Sequence, residues 1–282
     1  YTEDMPDGRV KHIVQNITDP DIVPYIPDGI GNSTDRQRIP AVLIIPGGAF
    51  RRLVYNFEGE DVAKWLNSMG IAAFVLECRL PSDEHDNAED VPLIDAMRAM
   101  RVIRGRAQEF GIDEAKIGVM GFSAGGFMAA LLSTAYESDV YADYKYKDEY
   151  DKLSARPDFA VCSYPVISID DCIEAGKRYM SEEQVLERIS DSKAKILHKY
   201  NPDKLVRPDM PPVFICETDD DRTTLSENSV GFYMAARKAG VSAELHIFRT
   251  GGHGYGCGDD FAQTGEWKVL FTKWIKSIGI IS

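Results

Sequence analysis

Short apolar runs alternate with longer amphipathic stretches along this chain, and that alternation predicts its architecture. AVLII (41–45), IAAFVL (71–76), KIGVM (116–120), DFAVCSY (158–164), PVFIC (212–216) and AELHIF (243–248) have strand length and β-branched or aromatic content. Most are apolar nearly throughout, as strands buried on both faces are. Between them the period changes. Over 88–110, Leu93, Ala96, Met97, Met100, Ile103, Ala107 and Phe110 recur every three or four positions, a stripe suited to packing on a sheet. Segments 58–69, 124–134, 226–239 and 262–277 also read as helices, with Gly70 and Gly240 as natural C-terminal stops. The expectation is an α/β fold, a mainly parallel central sheet with helices on both faces.

The first 40 residues hold five of the fourteen prolines, which suits edge strands or a wrapping arm rather than central strands. Residues 136–157 are polar and tyrosine-rich. Residues 168–200 read as a charged, helix-prone insertion that would rise above the sheet like a cap. No internal repeat or low-complexity linker interrupts the chain, and 282 residues suit one domain, 1–282, carrying that insertion.

Composition narrows the partners. The formal net charge of -13 argues against nucleic acid and anionic membrane surfaces, which would repel the chain at long range. No apolar run approaches the roughly 18 residues that span a bilayer. The chain opens YTEDMPDGRV, without an initiator Met or a basic-plus-apolar leader. A removed secretory leader would leave such a start, so a secreted or periplasmic location stands beside a cytoplasmic one. Five cysteines (Cys78, Cys162, Cys172, Cys216, Cys257) show no CxxC spacing, so no metal site is expected. Cys78 and Cys216 read as buried free thiols. A Cys162–Cys172 disulfide is conceivable.

Residues 121–125, Gly-Phe-Ser-Ala-Gly, match G-x-S-x-G between a predicted strand and a predicted helix, the context that gives this motif meaning. A sharp turn there lifts the Ser123 hydroxyl above the strand end, and the helix aims its first amides at charge developing nearby. A glycine-rich turn with an N-capping serine is the plainer alternative. A nucleophilic serine needs a base, and the base an orienting acid. Of the histidines after Ser123, His198 lies in the charged insertion and His246 within a strand. His253 sits in TGGHGYGCG, just past that strand, and is the expected base. The acid is expected at the end of PVFICETDDD, with Asp221 preferred and Asp220 the alternative. IIPGGAF (44–50) follows an early strand and would bring the Gly48 and Ala49 amides near the Ala124 amide as oxyanion donors.

These residues resemble the α/β-hydrolase superfamily, in particular the acetyl-xylan-esterase-like carbohydrate esterases related to hormone-sensitive lipase. PGGAF, EGEDVAKWLNSMGIAAFVLECRLP, RAQEFGIDEAKIGVMGFSAGG, YPVIS, PPVFICETDDD and GGHGYG occur in the order that group shows, over most of residues 40–256. The resemblance implies Ser123 as nucleophile, Asp221 as acid, His253 as base, and Gly48, Ala49 and Ala124 as oxyanion donors. No metal or organic cofactor is implied. The implied activity is a serine esterase removing short acyl groups, above all acetyl, from small-molecule or polysaccharide esters such as acetylated xylan. A feruloyl or general short-chain carboxylesterase is the near alternative; a serine peptidase and a non-catalytic binding protein are remoter ones. Three positions depart from the group: Pro46 stands where many relatives have His, Ala49 replaces a third Gly, and Phe127 replaces a His after SAGG.

Overall fold

In a computed structural model of the chain, residues 1–5, 8–29, 38–83, 85–142, 144, 147–178, 180–181, 183–185, 192–258 and 263–282 are described. Ten strands are found among them: β1 (Thr2–Asp4), β2 (Val10–Val14), β3 (Asp21–Tyr25), β4 (Ile39–Ile45), β5 (Leu53–Val54), β6 (Ala72–Glu77), β7 (Ile112–Phe122), β8 (Ala160–Ser163), β9 (Val213–Thr218) and β10 (Ala243–Phe248). Seven form one sheet in the order β10-β9-β8-β7-β4-β6-β3; β1, β2 and β5 form a small second sheet. In the large sheet every pairing is parallel except that of β3 with β6 at the edge. The six apolar runs of the sequence are its six parallel strands.

Alternation along each strand splits the interior into two cores. On β4, Leu43 and Ile45 face one side and Val42 and Ile44 the other, all at most 1 % exposed. The first side is covered by α2 (Val91–Gly105), α4 (Ala124–Ala135) and α7 (Ser226–Lys238), and the second by α1 (Asp61–Ser68) and α8 (Glu266–Ser277). A fully buried Leu, Ile or Phe is worth about 1.5–3 kcal/mol against exposure, so the all-apolar strand sequences are what two covered faces require.

Three helices differ from their sequence boundaries; the 262–277 helix begins at Glu266, with 263–265 in a turn. The 88–110 stripe is broken into α2 and a short α3 (Ala107–Phe110). The break falls after Gly105, where a side chain would collide with the Tyr150 ring and where glycine already weakens the helix. The 58–69 helix is preceded by a wider π-turn, Asn56–Glu60, which swings Glu58 inward. In the 168–200 stretch the described helices are α5 (Ile169–Lys177) and α6 (Ser192–Lys199). Residues 179, 182 and 186–191 of that expectation, and residue 262 of the last predicted helix, lie outside the described residues. Cys78, Cys162 and Cys216 are buried free thiols, and Cys257 is buried as well. The disulfide considered for Cys162 is therefore absent; the Cys172 side chain lies outside the description.

Parallel strands point their C-terminal ends to one rim. Register pairs Ile45 with Gly121, Phe122 with Ser163, Ser163 with Cys216 and Thr218 with Phe248. The segments leaving β4, β7, β9 and β10 thus emerge side by side, where open α/β sheets build their binding crevices.

Candidate active site

Ser123 occupies the turn between β7 and α4 with φ 54° and ψ −118°, a conformation that side chains adopt only where packing enforces it. The packing is visible. A Cβ on Gly121 would lie 1.9 Å from the Gly125 carbonyl oxygen, and one on Gly125 would lie 1.9 Å from that of Ile45. With neither present, α4 closes onto the ends of β4 and β7. Backbone bonds from Ser123 N–H to the Ser163 carbonyl (3.0 Å) and from Phe127 N–H to the Ser123 carbonyl (3.0 Å) clamp the turn.

His253 Nε2 lies 2.8 Å from Ser123 Oγ, and His253 Nδ1 lies 2.6 Å from Asp221 Oδ2. The three residues come from the exits of β7, β9 and β10. Asp221, its side chain wholly buried, accepts the Thr223 and Thr224 amides at Oδ1 (2.7 and 2.9 Å) and the Thr224 hydroxyl at Oδ2 (3.0 Å). Burial would raise its pKa, but the hydrogen bond and charge of His253 and the two amides outweigh burial and hold it below its ordinary value. Facing an ionised Asp221, Nδ1 carries the ring proton and donates it, which leaves Nε2 free to accept from the serine hydroxyl.

Asp220, the alternative candidate, binds loop backbone and not His253. Its Oδ1 accepts the Gly251 and Gly252 amides at 2.9 and 2.8 Å, fixing the loop that carries His253. Thr218 Oγ1–H donates to the Gly252 carbonyl (2.8 Å), and Trp267 Nε1–H donates to that of Gly256 (3.0 Å). Glycines shape this loop; side chains from β9, its exit and α8 hold it. His246 pairs with Glu244 on β10 (2.8 Å), and His198 lies in α6.

Ser123 and His253 open into a cleft of about 780 Å³ whose wall includes Gly48, Ala49, Arg52, Phe57 and Tyr255. Ala49 and Phe50 both have positive φ (57° and 59°), so the 47–52 loop is bent sharply over the β4 end. Phe127 of α4 meets Phe50 edge-on at 5.5 Å, taking the role of a support beneath that bend. Ala124 is the first residue of α4, where a helix leaves its N–H without an intrahelical acceptor.

Nothing in residue type or spacing singles out Glu58, Tyr164 or Thr224. Glu58 is 5 % exposed; its Oε2 accepts Gly47 N–H (2.8 Å) and its Oε1 the Tyr164 hydroxyl (2.9 Å). Burial raises its pKa against the opposing pull of His253, Tyr164 and the Gly47 amide. Tyr164, at φ 37°, sets its ring on the His253 ring with centroids 5.1 Å apart. In the sequence Glu58 only opens the predicted 58–69 helix, and Tyr164 only ends the apolar run 158–164. Among the described residues no group of three or more His, Cys, Asp or Glu could hold a metal ion, and no helix is long and apolar enough to cross a membrane.

With this geometry in view, relatives are informative. The family model BD-FAE matches residues 30–235. This chain belongs to the BD-FAE family. It is 31% identical over 240 residues to an acetylxylan esterase of Xylanibacter ruminicola, covering 84% of this chain and 45% of that protein. It is also 31% identical over 227 residues to endo-1,4-beta-xylanase B of Butyrivibrio fibrisolvens, covering 80% of this chain and 34% of that protein. The chain thus spans less than half the length of either relative. Among solved structures, an acetyl ester-xyloside bifunctional hydrolase from Caldicellulosiruptor lactoaceticus shares 35% identity at a TM-score of 0.76, over 96% of this chain and 98% of that one. A carboxylesterase from Lactobacillus plantarum superposes at 0.77 over 100% and 99% of the two chains; at 20% identity it shows the fold alone, the α/β-hydrolase fold of esterases.

Proposed function

We propose that this BD-FAE chain is a serine esterase that removes short acyl groups, chiefly acetyl, from carbohydrate esters of the xylan type. The observation that carries the reading is the hydrogen-bonded series Ser123–His253–Asp221 at a strained turn opening into a cleft. In it, His253 Nε2 takes the Ser123 proton as Oγ attacks the ester carbonyl carbon. The carbonyl π-electrons move to oxygen, and the Gly48, Ala49 and Ala124 amides stabilise that oxyanion. Each such donor is worth about 2.7–4 kcal/mol in a water-poor site. As the tetrahedral species collapses, the imidazolium protonates the departing sugar oxygen and the acyl group stays on Ser123. Water, deprotonated by the same nitrogen, then releases the acid. Asp221 holds the ring orientation and balances the imidazolium charge.

The relatives named for acetylxylan and acetyl ester hydrolysis support acetyl as the acyl group and xylan as the carrier. The test is a substrate panel on wild type and Ser123→Ala: acetylated xylo-oligosaccharides, a feruloylated arabinoside, and p-nitrophenyl esters of increasing chain length. We expect acetyl esters to be preferred and Ser123→Ala to lose about 10⁶ in kcat, as in a comparable triad. Preference for the feruloyl ester would move the reading to a feruloyl esterase. A fully active Ser123→Ala would refute it.

A further inference from the structure

Glu58 is an expensive residue to keep where it is. Moving a carboxylate out of water costs several kcal/mol even after relaxation. In return it satisfies one backbone amide and one phenol, groups that a carbonyl could serve. What it gains is a connection. Its two oxygens bind Gly47, which begins the loop bearing the Gly48 and Ala49 amides, and Tyr164. Tyr164 in turn accepts the amide of Gly256, three residues beyond His253 (3.0 Å), while its ring lies against the imidazole. Its backbone carbonyl accepts the hydroxyl of Thr224, the residue that also bonds Asp221. A single carboxylate therefore joins two loops that leave β4 and β10, on opposite sides of the serine turn.

We propose that Glu58 is a positioning residue, acting through Tyr164, that sets the separation between the Gly48–Ala49 amides and His253. The inference rests on the esterase reading above. That separation matters to the reaction because the amides must meet the carbonyl oxygen while the imidazole meets the leaving oxygen. Both contacts are complete only in the transition state. Loss of the link lets the loops relax apart by a fraction of an ångström to an ångström, and a misplacement of about 1 Å can cost about 10²-fold in rate. The effect falls on kcat, since binding of the ground-state ester does not require both contacts.

The substitutions are Glu58→Gln and Tyr164→Phe, alone and together. Gln keeps an acceptor for Gly47 N–H but meets the phenol with an N–H₂; the phenol oxygen already accepts the Gly256 amide, and its own proton loses its acceptor, so the link is weakened. Phe keeps the ring on His253 and deletes only the hydroxyl, which protects the fold. Rates on p-nitrophenyl acetate are divided by active sites titrated with a fluorophosphonate, so that unfolded protein does not count. Each single substitution is expected to lower kcat about 10- to 100-fold with KM changed less than about threefold. The double substitution is expected to cost little more than one alone, because both cut the same link. A boronic acid that mimics the tetrahedral adduct should weaken in parallel with kcat. Unchanged kcat in both single variants, or losses that multiply in the double, overturns the inference, and with Ser123→Ala inactive the esterase reading survives. If Ser123→Ala hydrolyses the ester as wild type does, both fall.

Discussion

Replacing Asp221 by Asn changes one atom and tests the assignment of the acid. The Asp221 carboxylate accepts two amides at Oδ1 and contacts His253 at Oδ2. Asn can seat its oxygen in either place. Turned toward His253, it would set its N–H₂ against the Thr223 and Thr224 amides, leaving two buried donors unpaired at about 1–3 kcal/mol each. Turned the other way, it keeps both amides and presents a donor to Nδ1. The second arrangement is cheaper and will dominate. The imidazole must then carry its proton on Nε2, which meets the Ser123 hydroxyl as a donor and cannot act as its base. The equivalent change in a comparable triad lowers kcat about 10⁴-fold with the geometry intact. At 1.36 kcal/mol per tenfold, that is about 5 kcal/mol of transition-state stabilisation. Asp220→Asn is the internal control: its oxygen still accepts the Gly251 and Gly252 amides, and exchanging a charged for a neutral acceptor weakens them by about 1 kcal/mol, or less than about tenfold. The assay is kcat on p-nitrophenyl acetate for both variants, with circular dichroism to show that each is folded. A 10⁴-fold loss in Asp220→Asn with near-normal Asp221→Asn would reverse the assignment and refute the tautomer argument.

Two further outcomes follow from the same geometry. Gly125→Ala would force a methyl to within 1.9 Å of the Ile45 carbonyl, where only backbone can yield. Expected are a stability loss of about 1–3 kcal/mol and a larger loss in kcat, read from denaturant midpoints and turnover; an unperturbed variant would show that the turn is not set by this contact. Glu217, buried behind Asp221, has its pKa pushed well up by burial and by the Asp221 charge. A folded-state pKa above the unfolded one gives stability that is full below the unfolded value and is lost as pH rises toward the folded one. Wild type should therefore lose stability from about pH 5 upward, by up to about 1.4 kcal/mol per pH unit, and Glu217→Gln should lose less. Equal denaturation slopes against pH in the two proteins would contradict this.

What the sequence disclosed and what it hid follow one physical division. Strands such as β4 (Ile39–Ile45) were legible because burial on both faces demands apolar side chains regardless of partner, and a one-dimensional pattern records that demand. Ser123 and His253, which the structure brings to 2.8 Å, could be singled out because a strained turn and a glycine loop need residue types that few other situations need. Asp221 could only be ranked above Asp220, since adjacent aspartates look alike until strand register turns one toward the imidazole and the other toward the loop backbone. Glu58 was invisible for a different reason. Its inward course comes from the π-turn Asn56–Glu60, which shifts the helical register and carries the acid that opens the predicted helix into the interior. Helical periodicity assumes 3.6 residues per turn, and a widened turn breaks that assumption without leaving a signature in residue type. Tyr164 was hidden by its apolarity, because a core aromatic and one that braces a histidine have the same composition. The groups that carry out the proposed reaction can thus be anticipated from chemistry, whereas those that set distances between them depend on register across elements far apart in the chain. Such residues are best sought as buried polar side chains bridging two loops, which is how Glu58 stands out here.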